Sequence, residues 1–173
     1  MTIIWKKEIA TAYLVKQRVM EADVRGLWPH RAPSPRATDE EIYTVEAFLG
    51  HTLDPYYRDF LRHANGWQGL FQAIDFFGTD DFMDGHRSAL AWRIIDALEN
   101  FEALFGLRKD EIMPIAVSEV SGDVFVMGRP TSKCPGVVVW LADKEIDRFP
   151  NFGECFLAMI DYNRREVHQL QQL

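Results

Sequence analysis

Two cysteines in 173 residues, Cys134 and Cys155, are too few and too far apart for a disulfide framework or a close-spaced pair of metal ligands. Neither has an activating partner beside it, so both are expected to be structural thiols rather than nucleophiles. Long hydrophobic runs are missing as well. None approaches the roughly 20 residues of a membrane-spanning helix. The opening Met-Thr-Ile-Ile-Trp-Lys-Lys-Glu carries charge where a secretory signal needs an apolar core. The simplest expectation is a cytoplasmic protein with reduced thiols. Basic charge is also in deficit: 19 Lys and Arg against 26 Asp and Glu leave a net charge of −7. That balance argues against general nucleic-acid binding, which needs a basic surface to displace phosphate counterions. It permits the opposite, electrostatic steering toward a basic partner.

Catalytic signatures are absent too. The sequence has no nucleophile elbow, no phosphate-cradling glycine loop and no dinucleotide fingerprint. The histidines, His30, His51, His63, His86 and His168, show no H-x-x-x-H or H-x-H spacing. Ordinary surface or interface histidines are therefore expected, and no catalytic, cofactor or metal residue is assigned. A site assembled from distant histidines and carboxylates, such as a small hydrolase would need, is the open alternative.

What is present fits one globular domain. Hydrophobic residues make up 47% and charged residues 26%, ordinary globular usage, and the chain is long enough to bury a sizeable core. Trp5, Ile9, Ala12, Tyr13, Lys16, Val19 and Met20 mark an amphipathic helix from about Ile4 to Glu21. Three prolines between Leu27 and Arg36 make an extended connector. Thr38-Asp-Glu-Glu41 is a capping box, opening a helix that turns Ile42, Val45, Phe48 and Leu49 inward and stops at Gly50.

Leu53-Asp-Pro-Tyr-Tyr-Arg-Asp-Phe-Leu-Arg-His-Ala-Asn-Gly66 is the most informative stretch. Asp54 can cap a helix, Pro55 suits its first position, and Tyr57, Phe60, Leu61 and Ala64 form one apolar stripe. Asn65-Gly66 tolerates positive φ and ends the helix, with Gly66 expected in the left-handed region. A strand is predicted at 72–78, a loop at 80–85, and a long helix from about Ser88 to Phe105 carrying Leu90, Ile94, Leu98, Phe101 and Phe105. Strands follow at Ile112–Val117, Val124–Met127 and Val137–Leu141. They are too close for crossover helices and must pair antiparallel, with a hairpin turn at Ser121–Asp123. Asn151 caps a last helix that faces Phe152, Phe156, Met159 and Ile160 inward, and the polar tail from Arg164 is expected to fray. The fold class predicted is α+β: a single domain, 1–173, with helices packed against an antiparallel sheet.

Taken in order, the Leu53–Gly66 helix, the apolar-Pro-Ile-Ala strand at Met113, the Gly122-Asp123 hairpin, the Val137–Leu141 strand with Trp140 and the Phe152–Leu157 segment resemble the SUKH superfamily. That superfamily groups bacterial toxin-immunity proteins with yeast regulators of cell-wall assembly. The resemblance covers about residues 38–162, after an N-terminal helix and the proline-rich connector. Here the family's Leu-Pro is split as Leu53-Asp54-Pro55, and Trp67-Gln68-Gly69 follows the Asn-Gly in place of a longer glycine-rich loop. It implies a non-enzymatic immunity protein that binds a cognate toxin domain, often a nuclease. A regulatory or scaffold module that binds a cellular protein is the alternative.

Two features bear on where a partner would dock. Asp75, Asp80, Asp81 and Asp84 have no compensating base until Arg87, and form either a solvated loop or an acidic binding surface. Most aromatics belong to the core, but Trp28 and Trp67 are placed as exposed or pocket-lining side chains able to anchor an interface. The expected partner-binding set is Asp75, Asp80, Asp81, Asp84 and Trp67. A second acidic group, Asp143, Glu145 and Asp147, alternates with Lys144 and Arg148 and is expected to be solvated.

Overall fold

The apolar run from Ile112 to Leu141 folds as its spacing demands. In the computed structural model, which describes residues 2–173, β3 (Ile112–Val117), β4 (Val124–Gly128) and β5 (Val138–Leu141) pair antiparallel. Gly122 takes φ +75° in the β3–β4 turn. β1 (Trp67–Phe71) and β2 (Ile74–Phe76) precede this core and β6 (Glu145–Phe149) follows it. The result is a six-stranded antiparallel sheet in sequence order. All of β3, β4 and β5 is buried, so both faces of the central sheet are covered.

Seven helices occur among the described residues: α1 (Trp5–Ala22), α2 (Asp39–Leu49), α3 (Pro55–Leu61), α4 (Thr79–Phe82), α5 (His86–Ala97), α6 (Phe101–Phe105) and α7 (Phe152–Leu170). Their ends obey local chemistry. At α2 the Thr38 hydroxyl accepts from the Glu41 amide at 3.1 Å while the Glu41 carboxylate accepts from the Thr38 amide at 2.7 Å. Asp54 accepts from the amides of Tyr56 and Tyr57 at the start of α3, with Pro55 at its first position. Asn151 caps α7 by accepting from the Glu154 amide. One face of the sheet is filled by aromatic packing: Phe76 meets Phe125 and Phe152, while Trp140 meets Phe125 and Tyr162, joining β2, β4 and β5 to α7. α5 is the helix packed on β3 and β4, burying Ala91 and Ile95.

Several elements differ from the sequence expectation. The predicted strand at 72–78 is half of a hairpin, since Gln72 turns at φ +50° and Trp67–Phe71 pairs back on Ile74–Phe76. Residues 80–82 of the expected loop are helical, within α4, because the Asp81 carboxylate accepts from the Gly78 amide and caps that helix. The long helix breaks at Leu98–Asn100, where Asn100 adopts a left-handed conformation. The tail does not fray: Val167 and Leu170 bury against Val19 of α1, extending α7 to Leu170. Residues of the second acidic group lie on β6 or beside it; Asp147 accepts from the Tyr162 hydroxyl, and Glu145 pairs with Arg148.

Candidate functional site

A groove of about 400 Å³ opens where α2, α4, α5 and β3 converge. Its apolar wall comes from Phe48 and Leu49 of α2, Phe82 of α4, Trp92 of α5, and Met113 and Pro114 of β3. Two lining residues carry opposite charge, Asp84 and Arg129. Phe48 was expected to face inward. Instead it is 52% exposed, because Ile42 and Val45 already fill the buried face of α2. Phe48 is therefore a large aromatic side chain available at the groove, and Trp92 beside it is half-buried.

Local structure fixes both charged residues. Asp84 sits at φ +57° in the turn between α4 and α5, which carries it outside the capped helix. Arg129 follows β4 and is held by the backbone at the start of β3: its Nε donates to the Ile112 carbonyl at 2.8 Å and its amide to the Glu111 carbonyl at 2.7 Å. A second recess of about 280 Å³ adjoins the first, with Met113 in the wall of both. The second recess runs past Asp54, Arg58, Met127 and Pro130. Burial raises the Asp54 carboxyl above its ordinary value, against the two amides that it accepts from.

The acidic stretch divides in two. Arg87 folds back between Asp75 and Asp81, donating to them at 3.0 and 3.2 Å. Their remaining oxygens accept from the amides of Gly69 and Gly78. Burial opposes the Arg87 charge, but the Asp75 hydrogen bond and the Asp81 charge more than offset it and hold the guanidinium above its usual value. Asp75 and Asp81 are thus structural acids rather than free surface charges. Only Asp80 and Asp84 stay exposed, and Asp84 alone of the stretch lines the groove. Arg87→Met should cost about 2 kcal/mol, because it strands two part-buried carboxylates. Urea unfolding checks this, and an unchanged midpoint would show the pairs to be energetically idle.

Trp67 is a correction. It is fully buried, packs on Phe156, and donates its indole N–H to the Arg31 carbonyl at 2.9 Å. It cannot anchor a partner; it pins the connector to β1. Trp28 is half-buried and donates to Glu166 at 2.8 Å, which also makes it an internal tie. Cys155 is wholly buried, which pushes its thiol well above the ordinary value, whereas Cys134 is exposed. Among the described residues no three His, Cys, Asp or Glu side chains gather closely enough to hold a metal ion.

A family model described as the SMI1 / KNR4 family (SUKH-1) matches residues 36–158. The chain belongs to that family. No curated protein matches the sequence. The SUKH-1 match takes in every groove residue from Phe48 to Arg129 and the whole acidic stretch, and it leaves α1 and the last turns of α7 outside. Among the described residues, no helix of this SUKH-1 protein is long and apolar enough to cross a membrane. The groove itself had no contiguous sequence signal. Its residues come from four elements spread over 48–129, and only Asp84 stood out beforehand.

Proposed function

We propose that this protein is a non-enzymatic immunity protein that binds a cognate toxin domain and blocks it through the groove between α2, α5 and β3. The observation that carries the reading is the groove's make-up: an apolar wall with an exposed Phe48 and a half-buried Trp92, and with Asp84 and Arg129 among its lining residues. Protein interfaces concentrate their energy in such aromatic anchors within a charged rim. The sign of the net charge, −7, suits a basic partner such as a nuclease, whose approach it would accelerate.

Two kinds of substitution separate anchor from rim. Against a toxin domain taken from an adjacent reading frame, Trp92→Ala should speed dissociation by about 10–100-fold, the effect of an interface anchor. Asp80→Lys with Asp84→Lys should slow association several-fold, and added salt should bring the unmutated protein toward the same rate. Asp81 is kept out of this test because its carboxylate caps α4 and pairs with Arg87. Salt-independent association, unchanged in the double reversal, would remove the acidic rim from the mechanism. Absence of such a toxin, or of binding to it, would turn the reading to the regulatory or scaffold module.

A further inference from the structure

Away from the groove, α1, the connector and the last turns of α7 enclose a set of polar side chains outside the family-matched region. The Asp23 carboxylate, with no exposed side-chain surface, accepts from the amides of Leu27 and Trp28 at 2.8 and 3.0 Å. It also bonds His30 Nε2 at 2.8 Å. Glu166 is 6% exposed and accepts from the Trp28 indole at 2.8 Å and the Gln72 amide group at 3.2 Å. Both carboxylates are committed to other donors. Lys16 lies among them at 4% exposure, and its Nζ makes no hydrogen bond within the described protein. His30 Nδ1 is likewise buried without a partner.

These two side chains share a cavity. Lys16 and His30 line a space of about 90 Å³ together with Tyr13, Met20 and Arg31. One water needs about 10–15 Å³ on the same measure, so the space admits a small organic ligand. A buried ammonium without an acceptor is costly, and proteins seldom keep one without a use.

We propose that this cavity binds a small monocarboxylate, whose oxygens accept from the Lys16 ammonium while its alkyl end packs on Met20 and Tyr13. The four-carbon stem of lysine lets Nζ turn to meet an incoming oxygen. A single negative charge fits better than two, since Asp23 and Glu166 stand close enough to act on Lys16 electrostatically and would repel a dianion. Arg31, exposed at the cavity wall, adds attraction for an anion entering from solvent. Burial lowers Lys16 from 10.5 to about 8 against the raising influence of Glu166 and Asp23. Among the groups around it, Asp23, Glu166, His30, Arg31 and Tyr13, it is the ammonium that the ligand requires. Affinity should therefore hold below pH 8 and fall about tenfold per pH unit above it.

Titrating the full chain with sodium butyrate, inorganic phosphate and sodium chloride, followed by amide chemical shifts, tests the assignment. Butyrate should shift the amides around Lys16 and His30 saturably, phosphate at least tenfold more weakly, and chloride not at all. Lys16→Met keeps the volume and should abolish saturation, whereas Arg31→Ala on the surface should weaken butyrate only a few-fold. A short peptide with a free C-terminus, set against its amidated form, distinguishes a chain-end carboxylate from a free acid. Phosphate binding more tightly than butyrate would overturn the monocarboxylate assignment. Saturation surviving in folded Lys16→Met, or no saturation by any carboxylate, would overturn the site.

Discussion

Gly66→Ala is expected to destabilise the protein by about 3–4 kcal/mol, the combined cost of a left-handed residue and a backbone clash. Gly66 sits at φ +81°, where a β-carbon would lie 2.6 Å from the Gly78 nitrogen and 2.8 Å from the Phe76 carbonyl oxygen. Both are backbone atoms and cannot swing aside. The segment that carries them is also tied to this turn, because the Asn65 side chain accepts from the Thr79 amide at 2.7 Å and donates to its hydroxyl at 2.9 Å. Gly50 provides the control. It ends α2 at φ +75° with nothing within 4 Å of the added carbon, so Gly50→Ala should cost only about 1 kcal/mol. For a domain of this size the gap of roughly 2 kcal/mol corresponds to several degrees in melting temperature. Equal losses in the two variants would mean that the approach of Gly66 to β2 yields easily.

The same residue shows what the sequence makes legible. Asn65-Gly66 announces a helix stop, but α3 ends earlier, at Leu61 with Arg62 as its cap, and only the positive φ of Gly66 is as expected; its second job, docking the chain against Gly78-Thr79, depends on residues twelve or more positions away. Strands β3 to β5 were legible because apolar runs separated by turn residues leave one pairing. The β1–β2 hairpin was not, since its turn is built on Gln72 at positive φ and carries no turn signature. The break between α5 and α6 was hidden by an apolar spacing that continues through it to Phe105. Val167 and Leu170 looked like strays in a polar tail until α1 supplied Val19 as their partner. Charge was the least legible property. Asp75 and Asp81 read as free acids, and only folding brings Arg87 between them. The groove is a product of tertiary structure alone, and Phe48 joins it because two other apolar residues of α2 occupy the core first.

Lys16→Met should raise stability by about 2–3 kcal/mol at pH 7 in a buffer free of carboxylate, and the gain should vanish in alkali. Folding lowers Lys16 from 10.5 to about 8, so the unfolded chain holds this proton more tightly than the folded one. Below pH 8 both states carry the charge, and the folded state bears a constant cost of about 3 kcal/mol, from about 1.4 kcal/mol per unit of displacement. That cost is already net of the lysine's attraction to Glu166 and Asp23, which raises its value against burial. Between pH 8 and 10.5 the folded protein releases the proton while the unfolded chain keeps it. Stability of the unmutated protein therefore climbs toward that of the variant, by about 1.4 kcal/mol per pH unit. Other groups titrate in this range, but they are common to both proteins and cancel in the difference. Urea midpoints for the pair at pH 7, 8.5 and 10 measure that difference directly. A gap that stays constant across the range would mean that the Lys16 ammonium is solvated in the folded state, and the cavity beside it would lose its claim to a buried charge.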